Sequence, residues 1–216
     1  MKNRQSTEIF RGLFLKKELV MKKKIKLVLA SQSPRRKELL QLLGIPFEVI
    51  VSDVEEKCSG TDPEQISEKL SEQKAEAVVE QLSEGIVIGA DTIVSTDGEI
   101  LGKPKDRQNA KRMLQLLQGR THLVTTGVMI KDAGKNKTIA HFHVSTKVKV
   151  AALEEWEIEA YLDTSEPYDK AGGYGIQGIF SRHIEQIEGD YFNVVGLPVH
   201  MVYEKLKEYF DGTFPD

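Results

Sequence analysis

The sequence of 216 residues contains a single cysteine, Cys58, so the chain cannot form an internal disulfide. This is typical of proteins from a reducing compartment and predicts a cytoplasmic location. No apolar run approaches the roughly 20 residues that a membrane-spanning helix requires, so no membrane partner is expected. The formal net charge of −3 provides no global attraction for nucleic acid, and any anion-binding site must therefore be local.

The chain also lacks internal repeats and low-complexity linkers. Residues 1–20 precede a second methionine, Met21, and three lysines, and could pass for the start of a signal peptide. The apolar stretch that follows, residues 27–30, is shorter than the roughly 7 to 15 residues of a signal-peptide core. We therefore interpret residues 1–20 as an N-terminal extension outside the fold and residues 21–216 as one domain.

Strand-like and helix-like hydrophobic patterns alternate along the chain. Strands are predicted at residues 25–30, 47–52, 86–94, 99–102, 122–131, 138–150, 179–187 and 191–195. Helices are predicted at residues 34–43, 63–82, 106–118, 154–163 and from Pro198 onwards. Alternating strands and helices with added hairpins predict an α/β fold with a mixed sheet.

The segment SQSPRRKELL, residues 31–40, predicts an anion site at the start of a helix. Ser33 is the expected N-cap and a proline follows it, which places Arg35 and Arg36 in the first turn. Two guanidiniums there would repel the positive end of the helix dipole unless an anion lay between them. Together with Ser31 they would suit phosphate oxygens, although the arginines could also be simply solvated. A conventional phosphate loop, G-x-x-x-x-G-K-[ST], is absent.

Asp91 interrupts the apolar run IVIGADTIV, where an unpaired carboxylate would be costly to bury. A two-residue turn at residues 97–98 would place Lys103 opposite Thr92, whereas a three-residue loop would place it opposite Asp91. The pair could be purely structural. Alternatively, Asp91 could be a metal ligand or general base whose charge is balanced nearby.

Lys74 lies in the middle of an apolar helical stripe formed by Ile66, Leu70, Val78 and Leu82. A lysine in such a stripe can extend along it to solvent, or it can point to a site. Because the same chain offers an anion-binding loop and a buried carboxylate, we favour a lysine that points toward them.

Two further groups of residues have the chemistry of ligands. Glu55 and Glu56 follow the predicted strand 47–52, at the kind of strand end where α/β proteins gather ligands, although such a pair is usually a surface feature. His141 and His143 alternate on one strand face, but no third ligand is placed by spacing, so a zinc site is not expected.

The segments LASQSPRRKELL, VEEK, EQKA, GADTIV…GEILGKP and DKAGGYGIQG…GDYFNVVGLP together resemble the Maf family of nucleoside triphosphate pyrophosphatases, from about residue 27 to residue 210. The resemblance implies hydrolysis of a nucleoside triphosphate to the monophosphate and pyrophosphate with a divalent cation, Mg²⁺ or Mn²⁺. It also implies an elongated Maf/ITPase-like fold, with a central mixed sheet flanked by helices and a cleft between two lobes, and a homodimer.

The resemblance also implies roles for individual residues. Asp91 would be the proton acceptor or a metal ligand, Glu56 a second metal ligand, and Lys74 and Lys103 the other charged catalytic residues. The branch that acts on dTTP and UTP is matched at three specificity positions: Arg35, Thr92 and Gln177. The amide of Gln177 both donates and accepts, which suits the N3–H and O4 edge of uracil or thymine. One use of such an enzyme is removal of non-canonical nucleotides. The alternative is a nucleotide-binding regulator of cell division without essential catalysis.

Overall fold

The structure is a computed structural model that describes residues 26–51 and 60–210. The predicted N-terminal extension and Glu56 lie outside these ranges. The strands are β1 Leu27–Leu29, β2 Phe47–Val49, β3 Ile86–Thr96, β4 Glu99–Leu101, β5 Thr121–Asp132, β6 Lys137–Val150 and β7 Ile184–Glu188. The α-helices are α1 Pro34–Gln41, α2 Pro63–Val79, α3 Arg107–Leu117, α4 Glu155–Leu162, α5 Tyr191–Val195 and α6 Val199–Tyr209. Short 3₁₀ helices occupy Pro167–Asp169, Ala171–Gly173 and Ile179–His183.

All seven strands form one mixed sheet in the order β2-β1-β3-β5-β6-β7, with β4 also paired to β3. β1 runs parallel to both β2 and β3, and the remaining pairs are antiparallel. The sheet is flanked by helices, which confirms the α/β prediction. In the described part of the chain, no helix is both long enough and apolar enough to cross a bilayer.

The edge of β3 that faces β1 is interrupted by a gap. β1 pairs with the start of β3 as far as Ile88, and β4 pairs with the end of β3 from Val94, while β5 occupies the opposite edge. Residues 89–93 therefore have no strand partner on this edge within the described residues. Backbone groups alternate along a strand, and β1 binds those of Ile88, so Ala90 and Thr92 present their N–H and C=O groups to the gap.

Helix α2 lies unusually close to the sheet because glycines occupy the contact points. A Cβ on Gly89 would lie 2.3 Å from the carbonyl oxygen of Ser71, and a Cβ on Gly127 would lie 2.2 Å from the carbonyl carbon of Ser67. Only glycine permits this backbone-to-backbone approach. It brings the middle of α2, including Lys74, over β3 beside the gap.

Two hydrophobic clusters lie at opposite ends of β3 and β5. The cluster at the start of β3 contains Ile86, Ile88, Val128 and Ile130 and packs against α1 and α6. The cluster at the end of β3 contains Val94, Leu101, Val124 and Phe180 and packs against α3 and α4. On this face of β3, Thr92 lies between the two clusters and belongs to neither, so its polar side chain is available for a site.

The predicted strand at residues 191–195 is wrong, because this segment forms helix α5. Its apolar pattern is too short to distinguish a strand from a helix. The deciding interaction is a cap, since the carboxylate of Asp190 accepts a hydrogen bond from the backbone N–H of Phe192 at 2.8 Å. Gly196, with φ of 133°, then ends the helix.

The predicted strand at residues 179–187 is only partly correct. Its first half is the 3₁₀ helix Ile179–His183, and only its second half forms strand β7. A carboxylate from elsewhere in the chain causes the difference. Glu166 accepts a hydrogen bond from the backbone N–H of Ile179 at 2.8 Å, so that N–H is not available to a sheet neighbour.

His122 is buried in the cluster at the end of β3. Its Nε2 lies 2.7 Å from the hydroxyl of Tyr174, and its Nδ1 has no hydrogen-bond partner among the described residues. Burial lowers the pKa of His122 from 6.5 to about 4. Burial likewise raises the pKa of Tyr174, so both groups are neutral at pH 7.

This geometry predicts a loss of stability as the pH falls from about 6.5 to about 4. Over that range the unfolded chain binds a proton at His122 and the folded chain does not, so the free energy of unfolding falls by about 1.4 kcal/mol per pH unit. Urea unfolding at several pH values measures this slope. The double variant His122→Phe/Tyr174→Phe, which removes both partners, should show a shallower slope. His200→Gln, at an exposed histidine, should keep the wild-type slope, and an unchanged slope in the double variant would contradict the assignment.

Candidate active site

A cleft of 1130 Å³ opens at the gap in the β3 edge. Its walls come from the loop after β1, the first turn of α1, helix α2, the β3–β4 hairpin and the segment 166–178. Nine of the ten predicted site residues line it, and the tenth, Glu56, lies outside the described residues. The nine are Ser31, Ser33, Arg35, Arg36, Lys74, Asp91, Thr92, Lys103 and Gln177.

The loop after β1 is held by its own side chains and by Arg36. The hydroxyl of Ser33 accepts from the backbone N–H of Arg36 at 3.4 Å, which confirms the predicted N-cap. The guanidinium of Arg36 donates through Nε to the carbonyl of Gly196 at 2.8 Å and through Nη2 to Thr92 Oγ1 at 2.9 Å. Its Nη1 reaches the hydroxyl of Ser31 at 3.4 Å. Arg36 therefore joins α1, β3 and the end of α5 at the floor of the cleft.

Arg35 makes a contact across the cleft. Its Nη1 lies 3.2 Å from Oδ2 of Asp169, whose other oxygen lies 2.5 Å from Nζ of Lys170. Burial acts to raise the pKa of Asp169, but the hydrogen bond from Lys170, with help from Arg35, holds that pKa below its usual value. The carboxylate is thus charged at neutral pH and binds both cations. This exposed ion pair links the first turn of α1 to the glycine-rich segment on the opposite wall.

Lys74 and Asp91 form an ion pair inside the cleft. Lys74 Nζ lies 2.5 Å from Asp91 Oδ1, and the two side chains are 19% and 13% exposed. The lysine therefore turns toward the carboxylate instead of extending to solvent. Asp91 lies directly opposite Gly127 on β5, where α2 touches the sheet. No hydrogen bond from residues 26–51 or 60–210 reaches the second oxygen of Asp91, Oδ2.

The β3–β4 hairpin places Lys103 at the mouth of the cleft. The turn has two residues, Asp97 and Gly98, both with positive φ. Of the two predicted registers, this one is correct, and its extension beyond β4 places Lys103 opposite Thr92. Lys103 is exposed and makes no hydrogen bond or ion pair with the described residues. Its ammonium is therefore available to a ligand.

The glycine-rich segment is fastened to the same hairpin. The backbone N–H of Gly172 donates to the carbonyl of Gly102 at 3.1 Å. Gly172 has φ of 71°, and a Cβ there would lie 3.0 Å from a methyl carbon of Val94. These contacts form a tight connection between the two walls of the cleft, which a larger residue at Gly172 would disturb.

Glu166 fixes the part of this segment that carries Gln177. Its carboxylate accepts from the backbone N–H of Ile179 at 2.8 Å and from the hydroxyl of Tyr161 at 3.0 Å. A Cβ on Gly178 would lie 2.2 Å from this carboxylate and would displace it from these hydrogen bonds. The exposed amide of Gln177 consequently projects into the cleft from a rigid loop.

Three charged residues of the cleft are not predicted from the sequence: Glu166, Asp169 and Lys170. Asp169 and Lys170 belong to the motif DKAGGYGIQG, so a signal for them is present, but only Gln177 of that motif is assigned a role from the sequence. Glu166 lies in an ordinary polar loop, and its function depends on backbone groups 13 residues away, which no local pattern reveals.

The cleft fits a divalent cation shared between protein and ligand. Mg²⁺ is usually held by one or two carboxylates, with water and substrate phosphates completing its shell. Asp91 offers one carboxylate with an oxygen open to the cleft, and the described residues contain no cluster of three or more His, Cys, Asp or Glu able to hold a metal ion. Asp91 therefore suits a cation whose other ligands include water and phosphate oxygens.

Solved structures share this fold at low sequence identity. The Ham1 protein of Staphylococcus aureus aligns with a TM-score of 0.51 and 16% identity, covering 85% of this chain and 99% of the other. The HAM1 protein of Coxiella burnetii aligns with a TM-score of 0.52 and 16% identity, covering 88% of this chain and 100% of the other. This likeness confirms the predicted ITPase-like architecture.

Curated relatives are much closer in sequence. A protein of Bacillus cytotoxicus named dTTP/UTP pyrophosphatase is 52% identical over 189 residues, which cover 87% of this chain and 97% of that protein. A protein of Bacillus anthracis with the same name is 52% identical over 185 residues, which cover 85% of this chain and 95% of that protein. The family model described as Maf-like protein matches residues 26–209. The chain belongs to the Maf-like protein family.

Proposed function

We propose that the protein hydrolyses dTTP and UTP to the nucleoside monophosphate and pyrophosphate, by attack of water on the α-phosphorus. The observation that carries the proposal is the Lys74–Asp91 ion pair inside a cleft that is also lined by Arg35 and Lys103. The name dTTP/UTP pyrophosphatase, which relatives with 52% identity carry, supports the choice of substrates.

The charge of the cleft suits a triphosphate. A nucleoside triphosphate carries about three to four negative charges at neutral pH, and cleavage at the α-phosphorus moves further charge onto the departing pyrophosphate; such reactions are catalysed mainly by positioning and charge stabilisation. Arg35, Lys74 and Lys103 reach the cleft from three separate segments. The hydroxyls and backbone N–H groups at residues 31–33 add neutral donors at the positive end of α1. We assign these groups to the phosphates.

We assign Asp91 the role of accepting a proton from the attacking water. Its open oxygen, Oδ2, would accept that proton while the water oxygen bonds to the α-phosphorus and the bond to the bridging oxygen of pyrophosphate breaks. Lys74, held at the other oxygen, orients the carboxylate before substrate arrives. When the phosphates enter, its ammonium can interact with them without leaving Asp91, since it has three donors.

The proposed cofactor is Mg²⁺ or Mn²⁺. Glu56, from outside the described residues, would hold the cation together with the substrate phosphates, and Asp91 would be a second ligand only as the alternative to its role as proton acceptor. When bound, the cation would supply neutralisation of phosphate charge and polarisation of the α-phosphoryl group.

We assign the pyrimidine base of the nucleotide to the wall of the cleft that carries Gln177. Its exposed amide projects from a segment that Glu166 holds rigidly, and an amide can donate to O4 and accept from N3–H of uracil or thymine. Arg35 and Thr92 complete the proposed specificity set. We further propose a homodimer, which the family resemblance implies, and a cytoplasmic enzyme whose single domain spans residues 21–216.

Identification of the products tests the function. Purified protein incubated with dTTP or UTP and Mn²⁺ should yield dTMP or UMP and pyrophosphate in equal amounts. The analogue of UTP with a methylene group between its α- and β-phosphorus atoms is the control, because it should bind but remain intact. Nucleoside diphosphate plus orthophosphate would show cleavage at the γ-position and contradict the mechanism. Binding of unchanged dTTP or UTP would favour the nucleotide-binding regulator instead.

A further inference from the structure

The hydroxyl of Thr92 lies at one end of a chain of hydrogen bonds that runs into the protein interior. Thr92 Oγ1 lies 3.0 Å from the hydroxyl oxygen of Thr126, a completely buried residue on the neighbouring strand β5. Thr126 Oγ1 lies 3.0 Å from the backbone carbonyl oxygen of Asn193 in helix α5. Arg36 Nη2 lies 2.9 Å from Thr92 Oγ1 on the other side.

Counting protons fixes the direction of every bond in this chain. A carbonyl oxygen can only accept, so Thr126 donates its one hydroxyl proton to Asn193. This carbonyl is buried, and Thr126 is its hydrogen-bond partner among the described residues, so a reversed hydroxyl would leave a buried acceptor unsatisfied, which is unfavourable. Thr126 must therefore accept from Thr92, which uses the only hydroxyl proton of Thr92.

The hydroxyl of Thr92 can consequently make one further hydrogen bond, and only as an acceptor. A hydroxyl oxygen has two lone pairs, and the guanidinium of Arg36, which can only donate, occupies one of them. Thr92 lines the cleft with one lone pair left and no proton to give. Such a group attracts an N–H or O–H of a ligand and repels a phosphate oxygen.

We infer that Thr126 is a positioning residue for substrate selection: it fixes Thr92 as a hydrogen-bond acceptor, so that Thr92 contacts a donor on the base or sugar of the nucleotide. The inference rests on the proposed function and deepens it. Two donors are common to dTTP and UTP: the imide N3–H of the base, in which case Gln177 would pair with O4 alone, and the 3′-hydroxyl of the sugar. N3 of cytosine has no hydrogen and can only accept, so a contact between Thr92 and N3–H would favour UTP over CTP.

The experiment compares kcat/KM for UTP, CTP and 3′-deoxyuridine triphosphate. In the wild-type protein, UTP should exceed at least one of the other two by about tenfold, the upper value for one neutral hydrogen bond. Loss of preference against CTP identifies N3–H as the donor, and loss of preference against the 3′-deoxy nucleotide identifies the sugar hydroxyl. In Thr126→Val the hydroxyl proton of Thr92 is released, and the affected ratio should fall toward one.

Matched variants separate this role from a structural one. Thr126→Ser keeps the hydroxyl and should restore the wild-type ratio. Thr125→Val removes a buried hydroxyl from the adjacent residue, which pairs with Ser145 and does not line the cleft, so it should change stability without changing any ratio. Thr92→Val removes the acceptor itself and provides the measurement if Thr126→Val does not fold.

The outcomes are distinct from those of the function assay. A wild-type protein that cleaves none of the three nucleotides would overturn the proposed function. A wild-type protein that cleaves UTP, but whose ratios are the same in Thr126→Val or Thr92→Val, would overturn the inference and leave the function standing.

Discussion

Replacement of Asp91 by asparagine should leave a folded protein that binds dTTP but turns it over at least about a hundredfold more slowly, the low end of the range for loss of a general base. The amide oxygen of asparagine can still accept from Lys74, so the contact that orients both side chains survives. What is lost is the negative charge and the basic oxygen Oδ2. Single-turnover rates with dTTP and Mn²⁺, together with a dTTP binding isotherm, measure the two effects separately.

Asp97→Asn is the matched control for this variant. It makes the same chemical change in the same hairpin, at an exposed turn residue whose partner is Arg120, and asparagine tolerates the positive φ at this position. Its turnover should equal that of the wild type. If Asp91→Asn retained wild-type turnover, Asp91 would be neither the base nor an essential metal ligand.

Replacement of Gly127 by alanine should destabilise the protein by about 1–3 kcal/mol or more, the range for forced overpacking, and should also lower kcat. The new Cβ would lie 2.2 to 2.4 Å from backbone atoms of Ser67 and Glu68, and helix backbone cannot rotate away as a side chain can. Helix α2 must therefore shift, and Lys74 shifts with it relative to Asp91. Urea unfolding and steady-state kinetics on the same preparation measure both effects.

Gly134→Ala is the control for overpacking. A Cβ at Gly134, in the turn between β5 and β6, would lie 3.5 Å from its nearest neighbours, which is an ordinary van der Waals distance. Its unfolding midpoint and kcat should match the wild type. A Gly127→Ala protein with an unchanged midpoint would show that α2 does not pack on β5 as described. A destabilised protein with unchanged turnover would show that the reaction does not depend on the position of Lys74.

The fold was largely accessible from the sequence because its long elements carry strong periodic patterns and clear caps. Ser33 caps α1 as predicted, Asp106 begins α3 with the same chemistry, and the Asp97–Gly98 turn has the chemistry of a two-residue hairpin. The failures occurred in short segments, where tertiary contacts decide. The helix at residues 191–195 depends on one aspartate cap, and the 3₁₀ helix that begins at Ile179 depends on a distant carboxylate.

The candidate site could be predicted from the sequence only in part. Charged residues that interrupt apolar patterns, Lys74 and Asp91, marked the cleft from the sequence alone, and their pairing follows from two glycines that no charge pattern reveals. Thr126 carried no signal of any kind. Its importance comes from the direction of a hydrogen-bond chain, which exists only once α5, β3 and β5 are assembled.

The interrupted edge of β3 affects how substitutions can change the substrate preference of such a protein. Side chains such as Gln177 can be exchanged by a single codon change, but the peptide groups of Ala90 and Thr92 persist through every substitution except one to proline. Any ligand that pairs with these peptide groups keeps that share of its affinity while the surrounding side chains vary. The unpaired edge of β3 thus provides backbone contacts that a ligand keeps while substitutions in the surrounding side chains change the selectivity.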